Sequence, residues 1–151
     1  MNYIEEAENL LLYYTDLYQS VENLNREIAK LVRYQTPSSL NAIQLEETGI
    51  RSSKVEDTYN LLFKLKTMVE NKERTELELK EIDRVLEEMS QDPGCKYYGR
   101  LLKEWYVNRT SKEDIAELIG YATKKSVYEL KNRAIKKFAI RYFGLDALRV
   151  M

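Results

Sequence analysis

The sequence predicts an all-α chain: long N-terminal helices, arranged as a coiled coil or a helical hairpin, followed by a smaller helical module ending in a cationic helix. Gly and Pro, the residues that interrupt helices, number only 5 and 2 in 151 residues. Apolar residues recur every three or four positions, the spacing of one helix face. The charge is also unevenly spread. Residues 1–94 carry 11 Lys and Arg against 19 Asp and Glu, a net −8, while residues 95–151 carry 13 against 6, a net +7. A chain of this length holds one domain or two small ones. The split divides it into an acidic helical region, 1–94, and a basic module, 95–151, of the kind that faces nucleic acid.

The first helix is read from Tyr3, Ala7, Leu10, Tyr14, Leu17, Val21, Leu24, Ile28 and Leu31, which alternate spacings of four and three. That is a heptad seam over about four repeats. Leu10, Leu17, Leu24 and Leu31 take the d positions, and Val21 and Ile28 take a positions. A β-branched a with leucine d favours a parallel two-stranded coil, hence a homodimer or higher homo-oligomer through these helices. Leu11, Tyr18 and Val32 widen the stripe, which supports a second reading, an antiparallel pair within one chain with the helix after Ser53.

Pro37, in Gln35-Thr36-Pro37-Ser38-Ser39, ends the helix by removing a backbone donor and restricting Thr36. Residues 34–52 are expected to form a loop with a short helical turn near Leu40–Leu45. A second long helix is expected after Ser53, with Ser53 and Glu56 as a capping box. Its apolar residues are Val55, Leu62, Leu65, Val69, Leu79, Ile82, Leu86 and Met89. Between Val69 and Leu77 it is almost wholly charged, so its middle is expected to project. Glu76, Glu78 and Glu81 read as a solvated face rather than a metal or acid–base site.

Asp92-Pro93-Gly94 marks the second boundary. Beyond it, Tyr97, Tyr98, Leu101, Leu102, Trp105 and Tyr106 form an apolar helix expected to pack beneath the last third of the chain. A module of 57 residues is marginal alone, so this helix and Tyr142-Phe143-Gly144-Leu145 are expected to complete its core.

The most informative stretch is Thr110 to Arg141. Ser111 is the expected N-cap, with Asp114 three residues on where a capping-box acid belongs. Ile115, Ala116, Leu118 and Ile119 face inward, and Gly120 ends the helix where a positive φ is needed. Thr123 caps a second helix whose buried stripe is Val127, Leu130, Ala134, Ile135 and Phe138. Its other faces carry Lys124, Lys125, Lys131, Arg133, Lys136, Lys137 and Arg141 against the single acid Glu129. Two helices joined by a tight glycine turn, the second strongly basic, form a helix-turn-helix able to enter a DNA major groove.

Other chemistry is largely excluded. With no His and the single Cys95, neither a zinc finger nor a Ser-His or Cys-His nucleophile pair can be built. No Gly-rich phosphate loop occurs, so no catalytic residue, metal or cofactor is assigned and the chain is not read as an enzyme. The N-terminus is acidic and no long apolar run occurs, so neither a secretory signal nor a membrane contact is expected. A lone cysteine fits the cytoplasm.

Glu113-Asp114-Ile115-Ala116 through Gly120 to Val127, with Arg133-Ala134-Ile135-Lys136-Lys137-Phe138, resembles the region 4 helix-turn-helix of bacterial sigma factors. The whole chain is similar to the ArpU/RinA-like regulators of late genes in phages of Gram-positive bacteria. Those proteins join an N-terminal helical region, a Thr-Pro-Ser interruption, a charged helix and a sigma-like helix-turn-helix. Thr36-Pro37-Ser38, the order of segments and the ending Tyr142-Phe143-Gly144-Leu145-Asp146-Ala147-Leu148 match here. The turn differs: Tyr121, Ala122 and Thr123 stand where the sigma pattern has two residues. The resemblance implies a transcription regulator, an activator acting in the cytoplasm of a bacterial host. Its partners would be double-stranded DNA and bacterial RNA polymerase. It also implies DNA-contacting side chains at Lys124, Lys125, Ser126, Tyr128 and Glu129.

Geometry points to a similar set, because a recognition helix reads bases with its first turns. Lys124, Lys125, Lys131 and Arg133 are expected at phosphates, with Lys136 further along. Ser126, Tyr128, Glu129 and Asn132 are expected at base edges, Glu accepting from cytosine N4 and Asn pairing with adenine. Two other classes fit the same sequence. A phage DNA-packaging component, such as a small terminase subunit, also joins a helix-turn-helix to helical oligomerisation. A protein-interaction module would use the cationic helix on a polymerase subunit instead.

Overall fold

Every regular element among the described residues is helical. The computed structural model describes residues 2–34, 50–120 and 123–150. The expected helical turn near Leu40–Leu45 and the turn residues Tyr121 and Ala122 lie outside them.

α1 (Tyr3–Leu12) is capped by Asn2, whose side-chain oxygen accepts from the amides of Ile4 at 3.1 Å and Glu5 at 3.3 Å. Tyr13 interrupts the helix, and α2 (Tyr14–Tyr34) follows. The expected continuous seam from Tyr3 to Leu31 is therefore divided between two helices. α3 (Ile50–Ser90) starts ahead of the expected cap, so Ser53 lies inside a helix rather than at its N-cap. α4 (Tyr98–Leu102) runs directly into a π-helical turn, Lys103–Val107. α5 (Lys112–Ile119), α6 (Lys124–Phe143) and α7 (Leu145–Val150) complete the chain.

The chain forms two compact units whose bounds fall within α2 and α3: Met1–Asp16 with Glu78–Met151, and Leu17–Leu77. This division differs from the one that charge suggests at residue 94. In the first unit, α6 packs against α1, α4, α5 and α7. Ala7 and Leu11 from α1 join Ile82, Val85, Leu86 and Met89 from α3, Leu101 and Leu102 from α4, and Tyr106. Ile115 and Ile119 from α5, with Val127, Leu130, Ile135 and Phe138 from α6, close the same cluster. The Tyr3 ring lies 5.2 Å from that of Phe143, and the Tyr106 hydroxyl donates to Glu8 at 3.2 Å. Burial, then the neighbouring Glu8 carboxylate, pushes the Tyr106 phenol well above its ordinary pKa. Some expected core positions face outward instead: Leu118, Tyr97 and Leu145 are exposed, while Ala147 of α7 is buried.

In the second unit the expected seam is present but shallow. Leu17, Val21, Leu24, Ile28 and Leu31 of α2 are half-buried, and Tyr18 and Val32 are exposed. α3 shows a matching half-buried stripe through Thr58, Leu61, Leu65, Met68 and Val69 that continues through Lys72 and Glu76. Lys72 and Glu76 pair at 3.8 Å. The charged middle of α3 thus keeps the helical stripe, because long side chains cover apolar surface with their stems. Leu62, expected inside, is exposed alongside Tyr59 and Phe63.

Candidate nucleic-acid interface

Local chemistry sets both helices of the basic module. Ser111 Oγ accepts from the Asp114 amide at 3.2 Å and starts α5. Gly120, at φ 79°, ends it in the left-handed region that suits glycine. Thr123 Oγ1 accepts from the Ser126 amide at 3.2 Å and starts α6. Val127, Leu130, Ala134, Ile135, Phe138 and Ala139 are buried and fix which way α6 faces.

Opposite that stripe, Lys125, Glu129, Asn132 and Lys136 form one exposed row at i, i+4, i+7 and i+11, with the exposed Arg133 beside it. The other candidate residues occupy the flanks of α6. Lys124 pairs with Glu113 of α5. Their hydrogen bond holds the Glu113 carboxyl below its ordinary pKa and raises that of Lys124. The Ser126 hydroxyl lies 2.8 Å from Thr123 Oγ1 and is engaged in the cap. The Tyr128 ring meets Trp105 edge-on at 4.9 Å, and the Lys131 ammonium lies over the same indole, 5.0 Å from its centroid.

Asp92 governs the opposite flank. It pairs with Lys137 at 2.6 Å and with Arg141, and these two, Lys137 first, hold its carboxyl below the ordinary value. Lys137 also reaches the Cys95 sulfur at 3.4 Å, so the buried Cys95 sits beneath the cationic helix. Three of the cations of α6 are therefore ion-paired within the chain, two of them sharing the one carboxylate of Asp92. Lys125, Lys131, Arg133 and Lys136 have no ion-pair partner among the described residues.

Trp105 and Lys112 are the members of this surface that sequence reasoning missed. Trp105 packs against the core as expected but stays half-buried, leaving its ring partly at the surface, and Lys112 enters the sequence reading only as charge. The Lys112 ammonium lies 4.5 Å from the indole centroid. No local spacing signals this, since the π-helical turn, α5 and α6 each supply one residue. Among the described residues no group of three or more His, Cys, Asp or Glu is placed to hold a metal ion, and no helix is long and apolar enough to cross a membrane. Compared with known proteins, the chain matches no family model, no curated protein and no solved structure.

Proposed function

We propose that the protein is a sequence-specific, double-stranded DNA-binding transcription regulator of phage or prophage late genes, an activator. It lays α6 into the major groove through a sigma region-4-like helix-turn-helix. The observation that carries this reading is the exposed row Lys125, Glu129, Asn132 and Lys136 on a helix capped at its start and anchored by a continuous buried stripe. A helix about 10–12 Å across fits a groove about 12 Å wide. The middle of its outward row, Glu129 and Asn132, then meets base edges, while the lysines at the ends of the row and the flanks of the helix reach the phosphate strands. Glu129 accepts from a cytosine amino group and Asn132 pairs with adenine. Lys125, Arg133 and Lys136 neutralise phosphates. Lys124 reaches a phosphate by exchanging Glu113 for it.

The half-buried seams of residues 17–77 support self-association, and a symmetric dimer would read an inverted repeat with centres about one helical turn apart. RNA polymerase is the expected protein partner, and the bacterial cytoplasm the expected compartment.

The test is capture of sheared genomic DNA by the full chain at near-physiological salt, with sequencing of the retained fragments. Enrichment upstream of a gene cluster supports the regulator. Ring-shaped assembly with enrichment beside packaging genes, away from any promoter, would replace it with the packaging reading. Lys125→Glu should weaken binding by one to two phosphate contacts' worth of salt-sensitive affinity, about 0.9 in log–log slope for each. An unchanged salt titration would remove Lys125 from the interface.

A further inference from the structure

We propose that Lys112 and Lys131, held on the Trp105 indole, form a phosphodiester clamp that grips the DNA backbone beside the outward row of α6; the proposal rests on the DNA-binding reading above. The two ammonium groups lie 4.5 Å and 5.0 Å from the centroid of one ring. The negative face of an aromatic ring attracts a cation, but it satisfies few of an ammonium's three N–H donors. Neither lysine makes a contact ion pair among the described residues, although the charge of Lys112 helps to lower the pKa of Glu113, whose carboxylate is held by Lys124. The contrast with their neighbours is sharp: Lys124 is paired with Glu113, and Lys137 and Arg141 with Asp92. The charges of Lys112 and Lys131 thus share one ring with no carboxylate in ion-pair contact among the described residues, and an anion with several acceptor oxygens supplies the hydrogen bonds that the ring does not.

Position selects the anion. Lys131 projects from the flank of α6 that faces α5, and Lys112 is the first residue of α5. With the outward row at the base edges, that flank faces one wall of the groove, which is a line of phosphodiesters. Trp105 acts as a positioning residue. It sits within the π-helical turn, an irregularity that recurs at functional sites, and Tyr128 packs edge-on against it.

Trp105 is the single tryptophan of the chain, so its emission reports on this cluster alone. The full chain, Lys112→Gln/Lys131→Gln, Lys112→Arg/Lys131→Arg and Lys66→Gln are titrated with a DNA duplex from about 50 to about 200 mM salt. Affinity and tryptophan emission are read together. The double Gln variant should show a salt slope shallower by about 0.9 for each lost phosphate contact. The emission change on duplex binding, present in the wild type, should be lost with it. The Arg variant should keep the wild-type slope, and Lys66→Gln, which removes a charge from an exposed pair with Glu70, should leave it unchanged. A wild type that binds duplex while the double Gln variant keeps both slope and emission change overturns the clamp alone. A Lys66→Gln loss as large as that of either clamp lysine also overturns it. A wild type that binds no duplex at the lowest salt overturns the clamp and the DNA-binding reading together.

Discussion

At Gly99, a side chain as small as a methyl group has no room. A Cβ there would lie 2.5 Å from Ser90 Oγ and 2.7 Å from the Leu86 carbonyl oxygen. Ser90 Oγ cannot yield easily, since it donates to Leu86 O at 2.8 Å and accepts from the Gly99 amide at 2.9 Å. Gly99→Ala should therefore destabilise the protein by about 1–3 kcal/mol, the usual cost of overpacking. A urea titration with an unmoved midpoint would refute the close approach. Asp92 makes a different prediction at the same scale. Lys137 and Arg141 lower its folded pKa below the unfolded value of about 3.9. The unfolded chain then binds the proton more readily, so the pair's stabilisation is present above that value and is lost as pH falls through the lower folded one. Asp92→Asn should flatten this part of the acid limb of stability, seen as urea midpoints that fall less steeply with pH below about 4. Identical acid limbs in the two proteins would show that the pair contributes nothing. None of this was legible in the sequence. Gly99 looked like any glycine, and Asp92 looked like part of a turn whose partners lie more than 40 residues away.

Among the elements, α1 carries the clearest reassignment. Its residues fit the same heptad as α2, yet Leu11 is fully buried in the core around α6 while Leu24 of α2 is only half-buried. Leu11→Ala should cost about 2–5 kcal/mol. Leu24→Ala should cost less in the unassociated chain, where its side chain already meets solvent. Thermal unfolding of the two variants checks the order, and a larger loss at Leu24 would mean that the seam, not the α6 core, dominates stability. The caps of α5 and α6 were legible because capping is decided within one helical turn: Ser111, Gly120 and Thr123 act as their identities predict. The buried stripe of α6 was legible for the same reason. The start of α3 was not, since Ile50 precedes the best capping residue. Nor was the break at Tyr13, which leaves the apolar spacing intact.

For the whole molecule, charge and packing divide the chain differently. The net charge changes sign near residue 94, but the compact unit around α6 takes in residues 1–16 and 78–94 as well. Residues 95–151 alone would leave Phe138 and Ile115 without Leu11, Ile82, Leu86 and Met89. A fragment of that length is expected to unfold without a cooperative transition, followed by circular dichroism on heating. A sharp transition close to that of the full chain would show that the fragment is a domain by itself. Length, residue types and spacing determined the all-helical class, the caps of α5 and α6 and the cationic character of α6, because each depends on neighbours within a few residues. Only the tertiary structure decided which stripe α1 joins, which lysines are ion-paired and which two meet on Trp105. Those outcomes depend on residues far apart in sequence, and local periodicity says that a face is apolar or charged without saying what will cover it.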